Sequence, residues 1–488
     1  MALLAAAVAL LLAAWVFGNP PGAAPDERAH YVRALGAGSL ELEGAIFEPT
    51  PEQTEAFFAQ RDGPELPGAG IATVLWAAKQ TRTFEVPAEL SVFAFGCNDQ
   101  KPTVSAACVE RPTGDRSTRV PTYTGTYPPW SYVVPGRAMR LESTPNAALR
   151  AGRLASAALC LALLIAAIAL TATGGGAGIA LAALGVALTP MVVYCAAVLN
   201  ASGPEIAGSV CFLAAGFRLM RPGAGPAAWA ALAAGGAALA LSRSLGPVLL
   251  VTLGGTLLVL AGRPQRPGRP ALAAGAVLAA AFALAAWWDL AKSPHGVEGG
   301  PTYRRALAQT FHDLDDIARH AVGNFGALDT PLPGWLYVVW GVAFLGLLGL
   351  AAARGTARER AGVALCLVVA GGITVAVSVF QLRTGYGAQG RHVLPVLVLV
   401  PLWAGEVVRR HPAGLAWVAP AAGGLWAAGH AVAWLVNARR GAVGVDGSWW
   451  FAGPAEWSPP GGWWPWAVMA LAGAALALAA GVIRRGSV

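Results

Sequence analysis

The residues best suited to chemistry stand just after the first apolar run, where the chain reads NPPGAAPDERAH and ends at His30. Pro25 interrupts the preceding pattern, and DERAHYVRAL reads as the start of an interfacial helix. Helical spacing puts Asp26 and His30 on one face, with Glu27 about a quarter-turn away, so both acids can point toward a cavity. One would serve as general base or metal ligand and the other as its orienter. Adjacent carboxylates repel, which raises one pKa unless a cation or donor compensates. A structural role fits the same positions: an N-cap and first-turn acids that complement the helix dipole.

Complementary groups lie far downstream. VLNASGPE puts Asn200 and Glu205 at the end of a hairpin, and SRSLG puts Arg243 in another. LRTGYGAQGRHVLP gathers Arg383, Tyr386, Arg391 and His392. A cation at a membrane edge must snorkel, pair or meet an anion. Arg383 and Arg391 together have the forked donors that suit a lipid phosphate. FHDLDDIARH would align His312, Asp316 and His320 at helical spacing, either as metal ligands or as the solvated face of an interfacial helix. The sequence has no G-x-S-x-G, Walker loop or HExxH, and GGGAG at 174–178 lacks the strand–turn–helix setting of a dinucleotide loop. Any chemistry would then use a donor delivered by the membrane.

Such residues need a membrane scaffold to hold them. The 488 residues are 56% hydrophobic and only 12% charged, with a mean hydropathy of +0.55, far from the balance of a soluble chain. Apolar Ala/Leu stretches close to the ~20 residues that cross a bilayer recur along it. They lack barrel-like alternation, so helices are expected. The reading is an all-α polytopic protein of about twelve spans: 2–17, 154–172, 179–199, 206–219, 227–241, 245–260, 271–290, 336–353, 362–380, 393–408, 414–436 and 466–483. Three units follow: a first transmembrane helix at 1–17, an outer region of mixed structure at 18–150 carrying the acid-pair helix, and a multi-spanning domain at 151–488.

The net charge of +8 is dispersed in small arginine groups rather than one stripe, which argues against nucleic acid as a partner. Arg218 with Arg221, Arg263 with Arg266 and Arg269, Arg354 with Arg358 and Arg360, Arg409 with Arg410, and Arg484 with Arg485 fall in alternate loops. Positive charge is retained inside, so these loops are expected to be cytoplasmic, with the amino terminus inside and region 18–150 outside. Residues 1–17 lack a basic leader, which favours a retained span over a signal peptide. Cys97 and Cys108 bracket a short loop of the outer region, an oxidising setting in which a disulfide is expected.

NPPGAAPDERAH, TGTYPPW, VYCAAVLNASGPE and YGAQGRHVLPVL together resemble the bacterial membrane proteins of the family of unknown function 2142 (DUF2142), which is similar to the GT-C superfamily of multi-spanning glycosyltransferases. The resemblance covers nearly the whole chain. It implies a GT-C-like enzyme of the bacterial plasma membrane that moves a sugar from a polyprenyl-phosphate carrier to an envelope glycan or lipid acceptor on the outer face. By the same analogy Asp26 is the base or metal ligand, assisted by Glu27 and His30. Arg391, Arg383, Tyr386, Arg243 and Asn200 would hold the donor and its phosphate, with a divalent cation such as Mg or Mn as a cofactor in some relatives. Arg28 stands where relatives usually carry Pro, and His392 where they often carry an aromatic residue. Two other readings stay open: a lipid-linked sugar transporter or flippase, expected to show mid-membrane ionisable groups or two related halves, and a non-catalytic envelope assembly protein that tolerates loss of Asp26.

Overall fold

A computed structural model describes residues 1–48, 50, 69–92, 97–110, 118–262, 268–296 and 299–483. Each of the twelve predicted apolar segments falls on helix, because Ala- and Leu-rich runs satisfy their backbone internally. Among the described residues six helices are long and apolar enough to cross a membrane, and a bent pair raises this to seven. Length and composition do not by themselves confirm twelve full spans: Ala2–Gly18, Pro226–Ser242 and Gly246–Ala261 are apolar but shorter.

The expected span at 179–199 is two helices, Ala177–Ala187 and Pro190–Ala197, bent by 68°. Proline cannot donate the helix hydrogen bond and clashes with the preceding turn. Thr189 caps the restart by accepting from the Val192 amide at 3.4 Å. The expected span at 393–408 begins earlier, at Gly390, and runs to Val408 as two pieces, Gly390–Leu397 and Leu399–Val408, around Pro395 and Pro401. Arg391 and His392 thus belong to the first turn of a buried span rather than to the loop before it.

Helix Pro145–Thr171, 27 residues and about 40 Å long, gives the bundle its two ends. At its carboxyl end Arg221 donates to the carbonyls of Leu170 and Thr173, and Arg409 to those of Thr173 and Gly175. Arg410 pairs with Glu359, and Arg354 reaches the Ala413 carbonyl. The arginine groups expected to share one side do share one end; Arg263, Arg266, Arg484 and Arg485 lie outside the described residues. The acid-pair segment meets the opposite end of the same helix, at Arg153. Helices Ser202–Leu219 and Pro226–Ser242 cross at Gly208 and Gly235, where an added Cβ would lie 2.6–2.8 Å from facing backbone, the close approach that small residues permit.

Region 18–150 mixes strands and helices, as expected. Strands Ala45–Ile46, Arg82–Glu85 and Arg119–Thr122 form an antiparallel sheet in that order. Helix Glu27–Gly38 packs on it through Tyr31 and Leu35, against Phe84 of the sheet, and Tyr132 and Met139 of helix Trp130–Met139 complete this small core. Cys97 and Cys108 are bonded. Their segment docks on helix Val418–Val443, where Arg440 donates to the Asn98 carbonyl at 2.6 Å.

Candidate functional site

Asp26 is the N-cap residue of helix Glu27–Gly38, but its side chain makes no capping bond. Its backbone is left-handed, at φ 61°, a conformation that costs a non-glycine residue roughly 1 kcal/mol. This turn directs the carboxylate away from its own helix. Oδ1 accepts from the Tyr123 hydroxyl at 2.8 Å, and Oδ2 accepts from Arg391 Nη2. Arg391 is 5% exposed and also donates to the Pro25 carbonyl at 3.1 Å and to Gln389 Oε1 at 2.7 Å. The two charges are 365 residues apart in sequence.

They face an open cleft with about 1340 Å³ of free space, solvent at its mouth included, whose wall includes Asp26, Tyr123, Tyr127, Arg243, Asp289, Tyr386, Arg391 and His392. Trp76, Leu245 and Phe380 give it an apolar side. Arg243 emerges where helix Pro226–Ser242 ends; it lies 3.8 Å from Glu205, 3.4 Å from the Ser202 hydroxyl and 5.9 Å from the Tyr127 ring centroid. Guanidinium groups from two distant segments therefore line one chamber that also holds two carboxylates, a set able to grip an oxyanion and to accept a proton nearby.

Burial alone would raise the Asp26 pKa; the positive charge of Arg391 and the bonds from Arg391 and Tyr123 outweigh it and hold the carboxyl at about 2. Burial lowers His30 to about 3 despite the attraction of Asp26, so the ring is neutral at physiological pH. His30 Nδ1 shares a 2.7 Å hydrogen bond with the Tyr132 hydroxyl, and the ring packs behind the acid turn, outside the cleft wall.

Several expectations are corrected. Glu27 does not point into the cleft. It is 1% exposed and faces the bundle, accepting from Arg153 Nε at 2.7 Å and Nη2 at 2.5 Å, and from the Gly22 and Leu199 amides at 3.0 Å each. The quarter-turn between adjacent positions, widened by the left-handed Asp26, sends the two acids to different sides. Asn200 is also absent from the wall: its Oδ1 accepts from the Gly203 amide and its amide donates to the Cys195 carbonyl, which fastens the start of helix Ser202–Leu219. Arg383 turns away to the Pro301 carbonyl and stacks on Tyr303 at 4.2 Å. His312, Asp316 and His320 do not share one helix, since Tyr303–His312 ends at Asp313 and a new helix starts at Leu314.

Among the described residues no three His, Cys, Asp or Glu side chains converge as a metal set. At the cleft, Asp26 is already engaged by Arg391, so these donors do not make a cage for Mg or Mn.

Sequence reasoning overlooked three contributors. Arg153, which directly precedes the apolar segment 154–172, is 1% exposed and spends all five guanidinium hydrogens on Glu27 and the carbonyls of Val16, Asn19 and Pro20. Tyr123 lies beside the TGTYPPW segment already singled out. Asp289 ends an otherwise apolar helix, Arg269–Lys292; an acid at that position is a legible signal, because a carboxylate at a membrane edge needs a reason to be there.

A family model described as "Predicted membrane protein (DUF2142)" matches residues 9–400, a stretch that contains both Asp26 and Arg391. No curated protein matches in sequence. Among solved structures, the apo crystal structure of ArnT from Cupriavidus metallidurans is similar at 16% identity with a TM-score of 0.39, over 86% of this chain and 76% of that one.

Proposed function

The chain belongs to the DUF2142 family of predicted membrane proteins, and from that premise we propose that it is a GT-C-type glycosyltransferase that moves a sugar from a polyprenyl-phosphate carrier to a cell-envelope acceptor. The observation that carries this reading is the meeting of the Asp26 carboxylate and the Arg391 guanidinium in one cleft with Arg243. The acceptor hydroxyl oxygen attacks the anomeric carbon, the bond from that carbon to the phosphate oxygen breaks with its electron pair leaving on the phosphate, and the hydroxyl proton passes to Asp26. Arg391 and Arg243 neutralise the charge that grows on the departing phosphate.

The resting ion pair suits this sequence of events. Held at about 2, Asp26 is a weak base. A donor phosphate that draws Arg391 away removes the main influence depressing that pKa, and burial then raises it toward the range in which a carboxylate accepts a proton usefully. Tyr123 keeps the carboxylate aimed during the exchange. The apolar side at Trp76, Leu245 and Phe380 is where the prenyl chain would lie, and Asp289 is placed to accept hydrogen bonds from sugar hydroxyls. The arginine-rich loops at the opposite end of the bundle favour an outer-face site at the bacterial plasma membrane, with the amino terminus inside.

The test uses purified protein, a labelled polyprenyl-phosphate sugar and envelope glycan or lipid extract. A labelled acceptor with a new glycosidic bond is the expected product. Passage of intact donor across proteoliposomes without a new bond would instead assign a transporter, and neither event would assign an assembly role.

A further inference from the structure

A second, open cavity lies at the arginine-rich end, with about 1440 Å³ of free space including the solvent at its mouth. Val259, Leu260 and Leu365 form an apolar wall, and Arg221, Arg358 and Arg410 stand around it. Val259 is 66% exposed, so the apolar wall continues onto the outer surface of the helices, where lipid would lie. An adjoining cavity shares Arg221 and Arg410 and adds Arg218 and Arg409. Five guanidinium groups therefore gather here against two carboxylates, Glu359 and Glu406.

Most of these cations are already engaged. Arg221 and Arg409 hold backbone carbonyls and Glu406, Arg218 holds the carbonyls of Arg221, Pro222 and Gly223, and Arg410 pairs with Glu359 at 2.9 Å. Arg358 is exposed and has no hydrogen-bond or ion-pair partner among the described residues. A second donor is unused as well. Trp403 is 4% exposed, its Nε1 has no partner among the described residues, and it lies over Gly362, where a Cβ would come within 2.7 Å of that nitrogen. Both residues belong to the cavity wall, and the Arg410 guanidinium sits 5.5 Å from the Trp403 ring centroid.

We propose that this cavity binds an anionic phospholipid of the surrounding leaflet, with its phosphate between Arg358 and Arg410 and its acyl chain along Val259, Leu260 and Leu365. An unpaired guanidinium beside hydrocarbon calls for an anion, and its forked donors match phosphate oxygens. A buried indole N–H without an acceptor is costly to leave unmade and gains one from the headgroup. The apolar wall selects a lipid phosphate over a soluble one. The site lies at the far end of the bundle from Asp26 and is independent of the transferase reading.

Full-length protein in neutral detergent, titrated with short-chain phosphatidylglycerol and followed by native mass spectrometry, tests this. Phosphatidylglycerol should bind in preference to phosphatidylcholine of the same chain length, and inorganic phosphate should not displace it. Arg358→Gln, which breaks no existing bond, should weaken phosphatidylglycerol about tenfold, the scale of one charge-assisted hydrogen bond. Trp403→Phe should weaken it less, and Arg319→Gln at the other end of the molecule should leave it unchanged. Equal binding of the two lipids, or unaltered phosphatidylglycerol binding by both Arg358→Gln and Trp403→Phe, would overturn the proposal. Displacement of the lipid by inorganic phosphate would also overturn it, marking a soluble-anion site.

Discussion

Asp26→Asn and Glu27→Gln should fail in opposite ways, although the acids are neighbours in sequence. Glu27 is 1% exposed and takes two bonds from Arg153 and two from backbone amides. Neutralising it leaves the Arg153 charge buried without a counter-ion, and its new amide hydrogens face donors. Removing one member of a buried pair costs about 3–5 kcal/mol, enough to deplete folded protein or lower its unfolding temperature by several degrees. The Asp26 side chain is 38% exposed. Solvent screening limits the loss of its pair with Arg391 to about 1 kcal/mol or less, and Asn also tolerates the left-handed backbone. Its removal as base should instead lower transfer about 10²–10⁴-fold. Yield, monodispersity and thermal unfolding in detergent read the first effect, and label transfer from a polyprenyl-phosphate sugar reads the second. Full turnover by Asp26→Asn would remove the base from the mechanism. A Glu27→Gln protein of wild-type stability that fails only in transfer would show that the two roles are assigned the wrong way round.

Arg391→Gln should depress transfer by about two to three orders of magnitude, as expected for a lost stabiliser of a departing oxyanion. It should also change the acid stability profile. In the wild type, pairing holds Asp26 near 2 against its ordinary 3.8, so the ion pair contributes stability above about pH 4 that is lost as pH falls toward 2. Unfolding temperatures of the two proteins should therefore differ at pH 7 and converge near pH 2; a constant offset across that range would reject the linkage. Asp289→Asn should fold normally and lose about tenfold in kcat/KM through weaker sugar binding, and unchanged kinetics would remove it from the site. Non-reducing peptide mapping should recover Cys97 linked to Cys108, and reduction should cost about 2–3 kcal/mol of stability for so short a loop; two free thiols would refute the bond.

Composition and period were enough to establish a polytopic helical protein, because a chain this apolar has few other ways to satisfy its backbone in lipid. The charge pattern grouped the arginine loops, and the short spacing in a region expected to lie outside indicated the Cys97–Cys108 bond. Both follow from local rules that act over a few residues or on average composition. The same rules marked Asp26, Arg243, Tyr386 and Arg391 as residues with chemistry to offer. They could not tell these apart from Glu27, Asn200 and Arg383, which look equally suited and are committed to holding the fold.

That division depends on where the chain crosses itself. Only the tertiary structure brought Arg153 under Glu27 and turned Asp26 into the left-handed region toward Arg391. Each outcome is set by a partner more than a hundred residues away or by a single backbone torsion. A side chain's type and spacing define what it can bind; burial and the nearest donor decide what it does bind.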